Sequence, residues 1–315
     1  MICDNEGAGI RPFYAGARRQ KGEKMSKKVI DVSSYQGLVD WVKVKAAGIQ
    51  GAILKIIRKD LNPDNQFENN WAGCEEAGMP VVGVYNYSYA TTVEKARSDA
   101  QKVIDTLAGR TAKIWLDVED ACLKGLGQKL IDIILAYQAV IQAAGLEFGV
   151  YTNLSFYNSY IKPYASQVDC HFWIARYPST SKKDLNDTPP ADKQPLVSHI
   201  LEGWQWASTG RVDGIGGNVD FNEWYGSIPE PESNGYNPHS IPERLLKLTH
   251  RNMRGDDVAW AQWHLHRLGF LPDESEIDGI YGPKTEAAVK AAQKHYGIAV
   301  DGIVGANTIY VIRWN

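Results

Sequence analysis

The stretch Lys113-Ile114-Trp115-Leu116-Asp117-Val118-Glu119-Asp120 decides how this chain is read. Its β-branched and aromatic residues make a strand, yet it carries three carboxylates. Side chains alternate faces along a strand, so Asp117 and Glu119 share one face and Leu116 and Val118 the other. Two acids side by side on a buried strand repel each other and resist desolvation. Stability gains nothing from that, whereas paired carboxylates are what acid-assisted hydrolysis requires. Alone, a D-x-E motif is more simply a solvated strand end. The surrounding chain changes that reading.

Strand patterns precede the stretch at 29–34, 51–57 and 81–88, and follow it at 148–152, 171–177, 201–206 and 218–224. Helical periods lie between the early ones. Trp41, Val44 and Ala47 form a short helix face ending at Gly48. Phe67, Trp71 and Cys74 form another, stopped at Gly78. A third helix is capped by Thr91 or Thr92 and buries Val93, Ala96, Ala100, Val103 and Leu107. A fourth buries Leu130, Ile133, Ile134, Tyr137 and Ile141. Residues 178–198, rich in Pro, Ser and Lys, read as a long surface loop. This alternation argues for a parallel sheet. Eight strands in about 200 residues suggest a closed (β/α) barrel, here short of helices in its last third. The alternative is an open, doubly wound sheet. The barrel is preferred because the acids sit on strands one, four and eight, and closure makes Asp220 a neighbour of Asp31.

The fold class expected is therefore α/β, a modified (β/α) eight-stranded barrel followed by a small all-α domain. The proposed boundaries are 25–226 for the barrel, 227–242 for a Pro- and Gly-rich linker, and 243–315 for the helical unit. In that unit Asp278-Gly279-Ile280-Tyr281-Gly282 recurs as Asp301-Gly302-Ile303-Val304-Gly305. Turn chemistry alone accounts for this repeat. Residues 1–24 have no apolar period and no signal-peptide core, so disorder is expected there. Lys21-Gly22-Glu23-Lys24 is also what a purine-rich ribosome-binding site would encode, which makes Met25 the expected start. Mass spectrometry finding residues 1–24 on the natural product would refute this.

A net charge of −3 gives no global field toward nucleic acid or anionic membrane. No apolar run reaches the roughly 20 residues needed to span a bilayer. Cys3, Cys74, Cys122 and Cys170 lack C-x-x-C spacing and read as reduced, mostly buried thiols. Synthesis in a cytoplasm is the expectation that fits.

The chemistry concentrates on Asp31, Asp117, Glu119 and Asp220. In a barrel such groups gather at the C-terminal strand ends. Clustered carboxylates raise one another's pKa, so one can stay protonated as a general acid. A Mg²⁺ or Ca²⁺ site is the competing reading of four acids, but no phosphate-cradling loop accompanies it. Zinc is poorly supported: the barrel region holds only His171 and His199, with no H-E-x-x-H. No G-x-S-x-G elbow supports a serine nucleophile. Aromatic residues on the strands suit carbohydrate, although most aromatics on strands are core. Tyr35, Tyr87, Trp173, Trp204 and Trp206 are the candidates for lining a groove.

Asp31-Val-Ser-Ser-Tyr-Gln-Gly37, Trp41, Trp115-Leu-Asp-Val-Glu119 and Gly217-Asn-Val-Asp220-Phe-Asn222 together resemble glycoside hydrolase family 25. Asp64-x-x-Phe67-x-x-Asn70 and Gly83-Val-Tyr-Asn-Tyr87 also fit, over roughly residues 28–226. The resemblance implies a lysozyme (N-acetylmuramidase) that cuts the β-1,4 bond between N-acetylmuramic acid and N-acetylglucosamine. It implies Glu119 as the acid, with Asp117, Asp31 and Asp220 as electrostatic or substrate-orienting partners, and no cofactor. Asn86, where many members carry His, and Ile57-Arg58-Lys59-Asp60 depart from the pattern and are expected to alter groove contacts. The helical unit resembles a peptidoglycan-binding domain through Arg254-Gly-Asp-Asp-Val258, Gln262, Gly269 and the Asp-Gly repeats. Its nine Lys/Arg and nine Asp/Glu argue against attachment by bulk charge and for a neutral sugar-peptide surface. The combination resembles a phage or prophage endolysin, which implies a monomer acting on the wall after release. An inactive wall-binding protein and a hydrolase of another acetamido-sugar polymer are the alternatives.

Overall fold

The computed structural model describes residues 26–230, 237 and 239–313. The expectations for residues 1–24, for Cys3 and for much of the linker lie outside them. Eight strands close into one barrel in sequence order: β1 (Lys27–Val32), β2 (Gly51–Ile57), β3 (Val81–Tyr87), β4 (Ile114–Asp117), β5 (Phe148–Asn153), β6 (His171–Ala175), β7 (Leu201–Gly210) and β8 (Val219–Trp224). Helices α1 (Trp41–Ala46), α2 (Phe67–Ala77), α3 (Val93–Leu107) and α4 (Gln128–Ala143) cover the first half. Each has a local cause. Asp40 caps α1 and Thr92 caps α3 through side-chain oxygens that accept from Lys43 and Lys95 amides. Gly78 ends α2 in the left-handed region, at φ 58°. Only the three-residue α5 (Leu154–Phe156) and short 3-10 or π turns follow before β7.

The expected parallel sheet needs one correction. β1 to β7 run parallel, but β8 is antiparallel to both β7 and β1. A parallel return needs a crossover of a dozen or more residues, usually a helix. Residues 211–218 are too few, so the chain turns back as a hairpin. Asp220, the second residue of β8, thereby reaches the end of the barrel where the parallel strands terminate. Its Cα partner in the ladder is Asp31.

Alternation sorts the barrel into two cores. Ile30, Leu54, Val84, Leu116, Val150, Ile174 and Phe221 face the outer layer and pack with the helices. Val29, Ile53, Trp115, Tyr151, Trp173 and Trp224 fill the inside. Trp115, Trp173 and Trp224 meet edge to face, with ring centroids 5.6–6.3 Å apart. Glycines make room for them. A Cβ at Gly149 would lie 2.3 Å from the Trp115 ring, and one at Gly203 2.3 Å from Trp224. This indole layer is a solid floor, so the barrel is open only above it.

Beyond the linker, α6 (Asp256–Arg267), α7 (Pro283–His295) and α8 (Ala306–Arg313) enclose a separate apolar cluster around Trp260, Leu265, Tyr281 and Val289. The Asp-Gly repeat has a shared structural device. Gln262 Nε2 donates to Asp278, Ile280 O and Thr285, while its Oε1 accepts from Gly279 N. Gln293 makes the same four bonds with Asp301, Ile303, Thr308 and Gly302. A buried amide engaged through both its nitrogen and its oxygen fixes each turn against its helix. The unit touches the barrel through Glu76 on α2, which accepts from Arg313 Nε at 2.8 Å and lies 3.3 Å from His264 Nε2.

Candidate active site

Above the indole floor a cleft of about 220 Å³ opens at the C-terminal ends of the parallel strands. Asp31 from β1, Asp117 and Glu119 at the end of β4, and Asp220 from β8 all line it. The strand at β4 ends at Asp117, earlier than the sequence pattern suggests. Val118 is still tied down, since its N–H donates to Tyr151 O and its carbonyl accepts from Thr152 Oγ1. Extended alternation therefore carries on far enough to keep Glu119 on the cleft face.

Asp31 and Asp220 form a bridged pair. Gln205 Nε2 donates to Asp31 Oδ2 and Asp220 Oδ2, both at 3.0 Å. Its Oε1 accepts from Tyr151 OH at 2.8 Å and Tyr177 OH at 2.5 Å. Two phenols on the oxygen leave the amide only one orientation. Asn222 Nδ2 adds a second donor to Asp31, at 2.8 Å, and Trp173 Nε1 orients Asn222 from below at 2.7 Å. Burial raises Asp31 to about 6, with the Asn222 and Gln205 bonds working against it. Burial and then the Asp31 charge raise Asp220 to about 9. The pair therefore shares a proton near neutral pH, as two adjacent carboxyls in low dielectric must. The Oδ2 atom of each carboxyl is engaged by amide donors, which suits a proton-sharing pair more than a cation cradle.

Asp117 is buried, and its Oδ1 has no hydrogen-bond partner among the described residues. Burial, then the nearby Glu119 charge, hold its carboxyl well above the usual carboxylate range, and the Lys55 ammonium opposes this. Glu119 is half-buried and accepts from Asn153 Nδ2 at 3.0 Å. The Asn153 amide is itself oriented, because its Oδ1 accepts from Phe156 N at the start of α5. Lys55, Tyr151, Gln205, Asn153 and Asn222 are thus site residues that residue-type reasoning did not select. Gln205 carried a signal: a polar residue between two tryptophans in a strand faces the opposite way from both.

The aromatic candidates divide. Tyr87 lines the cleft, donates to Asp120 Oδ2 at 3.2 Å and stacks obliquely on Tyr89. Asp120 thus braces the cleft wall. Tyr35 is 84% exposed and lines the adjoining groove beside Asp31 and Asp220. Trp173 reaches the cleft only as part of its floor. Trp204 and Trp206 are corrections: both are buried in the outer core, and Trp204 Nε1 donates to Arg176 O. With Gln205 inward, strand alternation sends its neighbours outward. Asn86 also points outward, toward Tyr137 OH at 3.4 Å, so that departure does not touch the groove. At the other one, Lys59 Nζ lies 4.4 Å from the Tyr89 ring. Cys74 is buried, but Cys122 is exposed, contrary to expectation.

The model of glycosyl hydrolases family 25 matches residues 30–215, more than half of the chain. The chain belongs to glycosyl hydrolase family 25. A peptidoglycan binding domain model matches residues 254–312. An autolytic lysozyme of Clostridium acetobutylicum is 30% identical over 286 residues, spanning 89% of this chain and 77% of that protein. The modular autolysin LytC of Streptococcus pneumoniae is 26% identical with a TM-score of 0.53, over 65% of this chain and 48% of that one. A bacterial lysozyme of Streptomyces coelicolor is 26% identical with a TM-score of 0.50, over 65% of this chain and 94% of that one.

Proposed function

We infer that this family 25 chain is a lysozyme that hydrolyses the β-1,4 bond between N-acetylmuramic acid and N-acetylglucosamine in peptidoglycan. The observation that carries the reading is the convergence of Asp31, Asp117, Glu119 and Asp220, from three strands, on one cleft. Glu119 is the proposed acid. Asn153 anchors one of its oxygens, which leaves the other to deliver a proton to the leaving sugar oxygen. Asp117 presents a buried, unpartnered oxygen suited to the N–H of an acetamido group, which it would orient beside the anomeric carbon. The Asp31–Asp220 pair supplies negative charge facing the oxocarbenium-like centre. The proposed organisation is a catalytic barrel over 25–226, a linker over 227–242 and a wall-binding unit over 243–315. The chain would act as a monomer on wall glycan, with no nucleic-acid partner, after release from the cell that makes it.

Turbidity of purified cell walls tests the assignment. Glu119→Gln should clear walls at least about a hundredfold more slowly than wild type, the lower range for losing a general acid. Equal clearing by both proteins would remove Glu119 from the acid role. Released glycan ending in reducing N-acetylmuramic acid would support the bond assignment, and any other reducing sugar would overturn it.

A further inference from the structure

The two Asp-Gly turns of the helical unit share one glutamine clasp but differ in what covers them. Aligned on Gln262 and Gln293, Lys290 of the second copy stands where the first has Ala259, and Glu286 where the first has Gly255. The structure shows the consequence. At Gly302 a Cβ would meet Lys290 Cε at 2.7 Å and Glu286 Cγ at 2.9 Å, and those two side chains pair at 3.1 Å over the turn. At Gly279 a Cβ would meet backbone of Gly255, its O at 3.1 Å and its C at 3.8 Å, and Ala259 Cβ at 3.9 Å. The first turn therefore floors an open cleft of about 410 Å³. The clasp does not need that opening, because the second copy holds the same bonds without it.

The chemistry of the cleft is specific. Arg254 lines it, is exposed, and has no ion-pair partner among the described residues. The acids nearby are already engaged. Asp256 accepts from His239 Nδ1 at 2.7 Å and Ser240 N at 2.6 Å, and Asp278 accepts from Gln262 and Ile280 N. Ile277 and Ile280 add small apolar walls. Among the described residues no Trp, Tyr or Phe lines it, so they offer a sugar ring no broad aromatic face. A guanidinium above a narrow floor of glycine backbone suits a carboxylate on a slim peptide.

We propose that the Arg254 cleft binds the carboxylate-bearing stem peptide of peptidoglycan, so that the helical unit holds the peptide while the barrel cuts the glycan. This rests on the wall-hydrolase reading above. The test uses the full chain carrying Glu119→Gln, titrated by calorimetry with a synthetic stem pentapeptide having free carboxylates. Arg254→Ala should weaken binding by about tenfold or more, the scale of a lost charge-assisted hydrogen bond. Ala259→Lys should abolish binding by filling the cleft as the second copy does. Lys290→Ala should leave the affinity unchanged. A fully amidated pentapeptide should bind the parent chain as weakly as the free acid binds the Arg254→Ala variant. Unfolding midpoints of the variants show whether each is folded, and the exposed Arg254 decides if Ala259→Lys is not. Absence of peptide binding, equal affinity of the Arg254→Ala variant, or peptide-free glycan oligomers competing for the cleft would overturn the proposal. Wild-type wall clearing is measured alongside. A chain that clears walls yet ignores the peptide sinks the cleft alone, and a chain that clears none sinks the hydrolase reading.

Discussion

Asp220→Asn should make the protein more stable at neutral pH. The native pair holds a proton that the unfolded chain releases, because Asp220 sits near 9 when folded against a model-peptide value of 3.8. The native state then binds more protons than the unfolded one, and stability must fall as pH rises. This contribution is fully present below pH 3.8 and is lost as pH climbs toward about 9. At pH 7, keeping that carboxyl protonated costs up to about 4 kcal/mol. Asparagine is neutral at every pH and nearly the same shape. Its carbonyl can accept from Gln205 Nε2, and its amide can donate to Asp31 as the protonated carboxyl does. Some of the ceiling is lost to imperfect amide bonding, so about 2 kcal/mol of stabilisation is expected at pH 7. Urea unfolding of both proteins between pH 4 and pH 8 measures it. The gap should be near zero at about pH 4 and widen as pH rises. A gap that does not vary with pH, or a variant less stable throughout, would refute the shared-proton account.

Two further outcomes follow from the packing. Gly149→Ala should destabilise the barrel by about 1–3 kcal/mol in urea unfolding, because its new Cβ lands on the Trp115 ring and the indole floor cannot yield. An unchanged midpoint would mean the floor is loosely packed. Trp206→Leu should cost about 1–3 kcal/mol of stability but leave the KM for wall fragments unaltered, since Trp206 packs on Phe221 in the outer core. A tenfold rise in KM with stability intact would return Trp206 to the groove.

Much of this was legible because strand alternation is a short-range rule. Asp117 and Glu119 could be placed on one face from their spacing, and Asp31 beside Asp220 once closure was assumed. Helix ends were legible for the same reason: Gly48, Gly78 and Thr92 act on their immediate neighbours. The direction of β8 was not read, although Asp220 at the start of its strand and Asp117 at the end of its own carried the clue. Both acids reach one rim only if the last strand runs backwards. Trp204 and Trp206 were misplaced because aromatic side chains suit a sugar groove and a core equally well. Which face was inward depended on Gln205, whose partners come from β1, β5 and β8 and the loop after β6.

The sequence by itself determined the strand and helix order, the two-unit layout, the four acids and the family they resemble. These depend on periodicity and on residue types that act locally. Tertiary structure alone decided the antiparallel closing strand, the amide that bridges Asp31 and Asp220, and the difference between an open and a covered Asp-Gly turn. Each joins groups distant in sequence, and their pKa values and accessibility depend on burial that exists only once the chain has closed on itself.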